Sequence, residues 1–406
     1  IPLWYKIDEQ GEALWEERIV PDENELPVDP ASHVPSGFDE TQRNQPGGFV
    51  GEVDIMDTWA TSSLTPQIAC GWEEDDDLFS RTYPMDMRPQ GHDIIRTWLF
   101  STAVRSHLEE DTAPWRNCAL SGWILDPDRK KMSKSKGNVV TPKGLLDQYG
   151  SDAVRYWAAN GRPGTDTAFD EGQMKIGRRL AIKILNASKF TLTLASDSKA
   201  DSGSVSNPLD QALLSKLLNL IETTTLAFDE FDYARALERT EQFFWSFTDD
   251  YVELVKARAY GSQGAQEAQS AHVTLKITLE TLLRLFAPFL PFVTAEVWSW
   301  SHQDSIHSAP WPTSDELSDG LEKGIDIGIL DAASETLSEV RRAKTEAKRS
   351  LKVKAATVVV SASNERIRQV GLARNDLIEA GNIDALELVE QQGAPPSVEV
   401  TLAQEE

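Results

Sequence analysis

KKMSKSKGN, residues 130–138, is the stretch that decides how the fold of this chain is interpreted. It holds four lysines, Lys130, Lys131, Lys134 and Lys136, in a chain of 406 residues whose formal net charge is −25. Small hydroxyl side chains and a glycine separate these lysines. We call residues 130–138 the lysine loop. An acidic chain that gathers positive charge on one short loop has either a local anionic ligand or a solvated charged surface at that place.

The residue types of the lysine loop suit a polyphosphate ligand. Preplaced ammonium groups stabilise the charge that develops on a leaving pyrophosphate, and one well-placed donor is worth about 3 kcal/mol of barrier. Lysine carries its charge on a flexible stem, which suits a loop that closes only in the transition state. Ser133 and Ser135 offer hydroxyls, and Gly137 permits a sharp exit from the loop. A lysine-rich surface loop without a ligand is the alternative, and on composition alone it is the commoner case.

As an ordered string, Lys131 to Ser135 is K-M-S-K-S, which resembles the signature of the class I aminoacyl-tRNA synthetases. Five more stretches resemble that family in the expected order: VDIMDTWATSSLTP (53–66), GHDIIRTW (91–98), NVVTPKGLLDQYGSDAVRYW (138–157), APFLPFVTAEVW (287–298) and VRRAKTEAKRSLKVK (340–354). The first is closest to the valyl branch, the second is similar to the valyl and isoleucyl branches, and the last is similar to the valyl branch. The resemblance therefore covers nearly the whole chain. It implies ATP as a substrate, accompanied by Mg²⁺, together with valine and a valine-accepting tRNA as partners.

The resemblance also assigns roles within the lysine loop. Lys131 and Lys134 would contact the phosphates of ATP, and Lys134 is the firmer of the two assignments. Ser133 and Ser135 would hydrogen-bond the phosphates or the loop backbone. Met132, the one apolar member, would pin the loop and line the nucleotide site.

Two further groups follow from the resemblance. Gly91 and Asp93 would hold the ribose, since a carboxylate can accept hydrogen bonds from two hydroxyls. Trp59, Ile94 and Trp98 would wall a pocket for an isopropyl side chain. Ile94 and Trp98 are spaced i, i+4 on a predicted helix, so they share a face. Ordinary core packing is the alternative for both tryptophans.

Two basic clusters are candidates for contacts with tRNA phosphates. One lies on a predicted helix that begins near residue 173, and the other lies on a late charged helix. The members are Lys175, Arg178, Arg179 and Lys183 in the first cluster, and Arg341, Arg342, Lys344, Lys348 and Arg349 in the second. A solvated helix face is the alternative for each cluster. The aromatic residues of QFFWSF (242–247) are predicted to lie in a helix-bundle core rather than to stack on bases.

The fold expected from the resemblance and the hydrophobic periodicity is an α/β Rossmann-like (HUP-type) second half of a class I catalytic domain, then an all-α anticodon-binding helix bundle and a small α/β C-terminal unit. The expected boundaries are 1–160 for the catalytic half, 161–206 for a helical connection and linker, 207–320 for the helix bundle and 321–406 for the C-terminal unit. Two widely spaced cysteines give no zinc motif and no disulfide framework, as a reducing cytoplasm would permit. The longest apolar run, 282–293, is too short to span a bilayer.

The sequence departs from the family in ways that bear on function. The H-I-G-H signature and the editing insertion are absent from it, so we expect a C-terminal fragment that is inactive by itself. Ser121-Gly122 stands where His-Gly is common, and Asp128-Arg129 stands where a glycine turn is common. Three alternatives stay open: an isoleucyl-tRNA synthetase fragment, a non-catalytic tRNA-binding relative, and another adenylating or nucleotidyl-transferring enzyme of the same fold.

Overall fold

The computed structural model describes residues 1–194, 205–318, 321–322, 324–391, 393 and 395–404, apart from the side chain of Lys134. Most of the Ser/Asp-rich linker expected between 196 and 207 lies outside the described residues. The chain divides into two compact units, residues 1–120 and 121–406. Each unit is described by itself.

The first unit opens with a three-stranded antiparallel sheet in the order β2-β1-β3, formed by β1 (Trp4–Ile7), β2 (Ala13–Ile19) and β3 (Phe49–Gly51). Trp4 and Phe49 are buried in it. Three short helices follow: α1 (Thr58–Ser62), α2 (Thr65–Ala69) and α3 (Asp76–Thr82). The sequence predicts strands and loops up to residue 70, so α1 and α2 correct that prediction. Asp57 caps α1, because its carboxylate accepts a hydrogen bond from Trp59 N at 3.0 Å.

The rest of the first unit is a two-stranded sheet, β4 (Met85–Gly91) with β5 (Trp115–Ser121), and the helical segment between these strands. The sequence predicts one regular helix over 92–109. That segment begins instead as a 3₁₀ turn (His92–Ile94), continues as a π-helix (Ile95–Leu99) and becomes regular only in α4 (Phe100–Glu110). Its position was predicted correctly and its regularity was not. π-Helical turns are rare and are often found at functional sites.

The second unit starts with the parallel strand pair β6 (Ile124–Leu125) and β7 (Thr167–Ala168). Between these strands lie a 3₁₀ turn (Lys134–Lys136), α5 (Pro142–Tyr149) and α6 (Ser151–Ala159). Thr141 precedes α5 with Pro at the first helical position, as the sequence predicts. The sequence predicts Ser151 as the N-cap of the next helix, but Gly150 precedes α6 because Ser151 is already helical.

A helix bundle forms the centre of the second unit. Its elements are α7 (Glu171–Leu194), α8 (Pro208–Asp229), α9 (Tyr233–Trp245), a π-helix (Ser246–Tyr251), α10 (Val252–Ala259), α11 (Ala265–Phe286), α12 (Pro291–Trp298), a 3₁₀ turn (Ile306–Ser308) and α13 (Asp315–Ser318). Phe244 and Phe247 are buried in its core, as the sequence predicts for QFFWSF. Gly177 on α7 lies so close to α6 that an added Cβ would stand 2.6 Å from the Cβ of Tyr156.

A small α/β unit completes the described chain. Its elements are α14 (Gly328–Glu346), β8 (Ala355–Ala362), α15 (Asn364–Leu372), α16 (Arg374–Gly381), β9 (Ile383–Glu390) and β10 (Ser397–Leu402). The sheet order is β10-β8-β9, with β8 parallel to β9 and antiparallel to β10. The sequence predicts α14, β8 and β10 but misses β9 and the helices α15 and α16, which form the crossover that the parallel β8–β9 pair requires.

A buried charged group joins the bundle to the small α/β unit. The guanidinium of Arg258 on α10 donates to both carboxylate oxygens of Asp210 on α8, at 2.6 and 2.8 Å, and to Asp376 on α16 at 2.9 Å. The hydroxyl of Tyr251 donates to Asp210 at 2.7 Å. All four side chains are buried. We call Arg258, Asp210, Asp376 and Tyr251 the Arg258 cluster.

Candidate active site and nucleic-acid interface

Gly91 and Asp93 lie together at the end of β4, in the first unit. β4 ends at Gly91, and the 3₁₀ turn that follows contains Asp93. A Cβ on Gly91 would stand 3.1 Å from Oδ1 of Asp93, so the carboxylate lies close over the glycine backbone. The side chain of Asp93 is exposed to solvent. This arrangement offers a carboxylate that neighbouring hydroxyls could reach.

The two tryptophans proposed for the side-chain pocket lie on elements that contact each other. Trp98, in the π-helix, donates its indole N–H to the carbonyl of Ser62 on α1 at 2.8 Å. Its ring stacks on Trp115 with centroids 5.9 Å apart, and the guanidinium of Arg88 lies 4.1 Å from its centroid. Trp98 is therefore packed in the interior. Trp59, on α1, keeps 37% of its surface exposed, and Ile94 is half-buried at the end of the 3₁₀ turn.

The lysine loop, in the second unit, follows β6. Phe169 N donates to the carbonyl of Leu125 at 2.8 Å, which continues the β6–β7 pairing. Gly122, just before β6, packs against the segment that holds Thr165. A Cβ on Gly122 would stand 2.1 Å from the carbonyl oxygen of Thr165. Only glycine fits this position. The difference from the family at Ser121-Gly122 therefore leaves intact β6, the strand that leads into the lysine loop.

A tight turn connects β6 to the lysine loop. Arg129 N donates to the carbonyl of Asp126, and Asp126 N donates to the carbonyl of Lys130, both at 2.9 Å. Arg129 has φ = 61°, in the left-handed region that favours glycine. This explains why a glycine turn is common here in the family. The chain makes the same turn with arginine in a strained conformation.

Side-chain hydrogen bonds then fix the loop backbone. The amide of Asn138 donates to Oδ2 of Asp126 at 2.8 Å and to the carbonyl of Lys131 at 3.3 Å, and it accepts from Ser133 N at 3.0 Å. Asp126 is buried. The backbone N–H of Lys130 and the amide of Asn138 hold the pKa of Asp126 below its ordinary value.

Sequence reasoning missed Asp126 and Asn138 because it weighed the lysines and hydroxyls of the loop rather than what holds them. The available signal was the asparagine that closes KKMSKSKGN together with an aspartate that ends the preceding strand. Polar side chains of this kind commonly satisfy nearby backbone groups in turns.

The cationic and hydroxyl groups of the loop lie around this backbone. The ammonium of Lys131 stands 4.0 Å from the ring centroid of Trp123, a cation–π contact. The Ser133 and Ser135 hydroxyls are 3.3 Å apart, and Met132 is half-buried. The side chain of Lys134 lies outside the described residues. The arrangement presents hydroxyls and ammonium groups from a fixed backbone, which is a chemistry for binding an anion.

The first basic cluster lies on α7. Lys175, Arg178 and Arg179 are exposed, and Arg178 donates to the carbonyl of Gln148 at 2.7 Å. Lys183 forms an ion pair with Asp249 at 2.8 Å. Leu180 and Ile184, also on α7, are buried.

The second basic cluster meets the first at the π-helix of the bundle. Arg341 on α14 donates to the backbone carbonyl of Asp249 at 3.1 Å, the residue whose carboxylate pairs with Lys183. Arg342 is exposed and pairs with Glu339 and Glu346. Lys348 is exposed just beyond the end of α14. The sequence gives no indication that the two clusters adjoin.

Lys344 does not belong to this surface, so the prediction that included it is wrong. Its ammonium is buried and donates to the carbonyls of Gly381 at 2.7 Å and Leu351 at 3.1 Å. Burial lowers its pKa. The position of Lys344 on α14 turns its side chain toward the end of α16, which the charge pattern alone does not reveal.

Among the residues that the structure describes, no three His, Cys, Asp or Glu side chains are grouped as a metal ion would require. No helix in the described ranges is long and apolar enough to cross a membrane.

Comparisons with known proteins identify the family of the chain. Residues 1–170 match the family model of class I tRNA synthetases (I, L, M and V), and residues 210–360 match that of the anticodon-binding domain of tRNA ligase. The crystal structure of the Agrobacterium radiobacter K84 agnB2 LeuRS–tRNA–LeuAMS ternary complex superposes with a TM-score of 0.62 at 20% identity, over 78% of this chain and 41% of that chain. The chain therefore belongs to the class I aminoacyl-tRNA synthetases.

Within that class, its sequence belongs with the valine–tRNA ligases. It is 57% identical to the valine–tRNA ligase of Thermobifida fusca over 99% of this chain and 45% of that protein. It is 53% identical to the enzyme of Salinispora tropica over 99% of this chain and 48% of that protein. It is 50% identical to the enzyme of Cutibacterium acnes over 95% of this chain and 44% of that protein. The chain spans about half the length of the curated relatives that it matches. The expected fold class, with its class I catalytic part and anticodon-binding bundle, is confirmed.

Proposed function

We propose that this chain is the part of a valine–tRNA ligase that closes over the ATP phosphates and holds the tRNA. The observation that carries the proposal is the lysine loop: an intact K-M-S-K-S on a fixed backbone, in a chain that is 57% identical to a valine–tRNA ligase over 99% of its length. A module that only binds tRNA would have no use for a loop built to contact a triphosphate. The proposal places the reaction in the cytoplasm, where charged tRNA is used.

The first step joins valine to ATP. An oxygen of the valine carboxylate attacks the α-phosphorus, the bond from that phosphorus to the bridging oxygen breaks, and pyrophosphate leaves with the electron pair. The step needs orientation and charge stabilisation rather than a side-chain nucleophile. Lys131 and Lys134 would stabilise charge on the leaving pyrophosphate, with Ser133 and Ser135 as hydrogen-bond donors and Met132 lining the site. Mg²⁺ would enter with the nucleotide as Mg·ATP.

The substrate groups away from the phosphates would be held by the first unit. Asp93, with Gly91 beneath it, would accept hydrogen bonds from the ribose hydroxyls. Trp59 and Ile94 would contact the valine side chain, and Trp98 would support that wall from the interior. A pocket of this kind separates valine from isoleucine by only about 1–3 kcal/mol per methylene.

The second step moves the valyl group to tRNA. The 2′-hydroxyl of the terminal adenosine attacks the carbonyl carbon of valyl-adenylate, and AMP leaves. The surface we propose for the tRNA phosphates is the adjoining pair of basic clusters, Lys175, Arg178, Arg179 and Lys183 on α7 with Arg341, Arg342 and Lys348 at α14. The ion pairs of Lys183, Arg341 and Arg342 would exchange their carboxylate partners for phosphate, which makes the contribution of these cations smaller than that of Lys175, Arg179 and Lys348.

Binding of this chain to purified valine, isoleucine and leucine tRNAs across a salt series tests the proposal. We expect preference for the valine tRNA and affinity that falls as salt rises, because phosphate contacts release counterions. Arg179→Ala should weaken binding and reduce the salt slope, whereas Lys276→Ala, on α11, serves as the matched control. Equal binding to the three tRNAs would contradict the valine assignment. Absent binding would contradict a tRNA surface on this chain.

Amino-acid-dependent ATP–pyrophosphate exchange tests the first step. The ligase that contains this chain should exchange with valine, and Lys134→Ala should lower kcat strongly. Exchange driven by isoleucine instead would favour the isoleucyl alternative. We expect the chain by itself to show negligible exchange, since its sequence has no H-I-G-H motif to hold ATP from the other side.

A further inference from the structure

Asn138 makes hydrogen bonds with both ends of its side-chain amide. Oδ1 accepts from the backbone N–H of Ser133 at 3.0 Å, and Nδ2 donates to the carbonyl of Lys131 at 3.3 Å. These two backbone groups flank Met132, so a single side chain ties the loop backbone on both sides of one residue. Asn138 is half-buried, while Gly137 and Lys136 before it are exposed.

The same amide is anchored to the strand that precedes the loop. Nδ2 of Asn138 also donates to Oδ2 of Asp126 at 2.8 Å, and the other carboxylate oxygen accepts from Lys130 N at 2.8 Å. Asp126 directly follows β6, which pairs with β7. A hydrogen bond to an ionised carboxylate is about twice as strong as one between neutral groups. The lowered pKa of Asp126 keeps its carboxylate ionised at neutral pH.

We propose that Asn138 is a positioning residue for the lysine loop, and that with Asp126 it forms a clasp that fixes the backbone of Lys131 and Ser133. The clasp determines where the stem of Lys131 and the hydroxyl of Ser133 begin. A lysine ammonium ends a flexible four-carbon stem, so its reach is set by the place where the backbone holds the Cα. A displacement of about 1 Å at a reacting centre lowers rates about 100-fold.

The position of Lys131 fits a closed clasp. Its carbonyl accepts from Asn138, and its ammonium lies over Trp123, which directly precedes β6. Both ends of the residue are thus held against the same strand. The ammonium contact and the backbone hydrogen bond involve different atoms of Lys131, so an anionic ligand that competes with Trp123 for the ammonium need not break the backbone clasp. The clasp itself concerns geometry alone, and its effect on catalysis rests on the proposed function.

Hydrogen–deuterium exchange of this chain tests the clasp without any ligand. Asn138→Ala should raise the exchange rate of amides in residues 130–138 roughly tenfold. Asn160→Ala, which removes an amide donor to the Tyr156 carbonyl at 2.9 Å on α6, is the matched control and should leave the loop unchanged. Unchanged loop exchange in Asn138→Ala would overturn the proposal.

A reciprocal exchange of the two side chains separates the clasp from a general structural role. Asn138→Asp alone places two carboxylates face to face and should open the loop further than Asn138→Ala does. Asp126→Asn with Asn138→Asp restores one donor and one acceptor across the clasp, and it should recover most of the protection. If the double variant is no better than Asn138→Asp, the two residues do not act through each other and the clasp is refuted.

ATP–pyrophosphate exchange by the ligase that contains this chain tests the consequence for catalysis. Asn138→Ala should lower kcat about 100-fold with the KM for valine unchanged, because the clasp does not touch valine. An equal change in KM, or an unchanged kcat, would refute the positioning role. If the unmutated ligase shows no valine-dependent exchange, the proposed function fails, whereas the deuterium-exchange result still decides whether the clasp exists.

Discussion

The lysine loop and the Arg258 cluster both gather charge, under opposite conditions. The loop has its residues within nine consecutive positions, and its Lys131 side chain is exposed at the surface. In the Arg258 cluster every side chain is buried, and Arg258 reaches partners that lie 48 and 118 residues away in sequence. The loop backbone is held by neutral and carboxylate groups, and we propose that its ammonium groups face a ligand. In the cluster, three donors of one guanidinium are committed to carboxylates.

This difference teaches how charge is assigned to function or to stability. A cation that serves a ligand is kept near water, so that its desolvation is incurred only when the ligand binds. A cation buried without water needs full pairing at all times, because an unpaired buried charge is strongly destabilising. The first kind leaves a compact signature in the sequence. The second kind exists only after distant segments have packed.

The largest effect we expect comes from removing the cation of the Arg258 cluster. Arg258→Met would leave the carboxylates of Asp210 and Asp376 buried without their partner, so the free energy of unfolding should fall by about 3–5 kcal/mol. Urea denaturation followed by circular dichroism measures this loss. Arg342→Met, which removes an exposed arginine with two ion pairs, is the matched control and should change stability by less than about 1 kcal/mol. If both variants lost similar amounts of unfolding free energy, the buried arginine would contribute no more to stability than the exposed one.

A smaller effect concerns pH. Burial raises the pKa of Asp376 to about 6, against the opposing attraction of Arg258. The folded protein therefore takes up a proton that the unfolded chain, with an ordinary aspartate pKa near 3.9, does not bind until lower pH. Between pH 7 and pH 5 this group should stabilise the fold by about 1 kcal/mol as the pH falls.

Asp376→Asn tests that sign. The variant should lack the gain of about 1 kcal/mol that Asp376 contributes to the unmutated chain between pH 7 and pH 5, and the difference between the two stability curves reports Asp376 alone. If the two curves stay parallel from pH 7 to pH 5, the buried carboxylate does not titrate in this range. Exposed acids serve as an internal reference, since both proteins share them.

Gly137 in the lysine loop and Gly144 in α5 allow a comparison of backbone conformation instead of charge. It has φ = 68°, and an added Cβ would meet nothing within 4 Å, so Gly137→Ala should cost about 1 kcal/mol of loop stability through backbone strain alone. Gly144, inside α5, also has open space around it, and Gly144→Ala should stabilise that helix by about 1 kcal/mol. Deuterium exchange over 130–149 follows both changes. The same sign in the two variants would exclude the backbone explanation.

The smallest effect we expect is at the turn before the loop. Arg129 adopts φ = 61°, and Arg129→Gly should relieve this strain at the expense of a more flexible unfolded chain, for a net gain of about 0.5 kcal/mol. Thermal denaturation compared with Arg129→Ala isolates the effect, because alanine removes the side chain but keeps the strain. A glycine variant no more stable than the alanine variant would show that the turn is unstrained.

The sequence predicted most of what is local. The lysine loop, the helices from α5 to α12 and the buried aromatic residues of 242–247 follow from short motifs and periodicity. What it missed depends on contacts between distant segments: the burial of Lys344 under Gly381, the meeting of the two basic clusters at Asp249, and the clasp of Asn138. The π-helical turn at Ile95–Leu99 escaped for another reason, since its one-residue shift leaves the apolar spacing nearly helical.

The Arg258 cluster also limits how the small α/β unit can be exchanged between related chains during evolution. Asp376 belongs to the small α/β unit, whereas Arg258 and Asp210 belong to the bundle. A bundle that received a small unit with asparagine at position 376 would keep a neutral Arg258–Asp210 pair. A small unit transplanted onto a bundle without this arginine would bury an acid with no cation beside it. Recombination at this junction is therefore tolerated in one direction and penalised in the other.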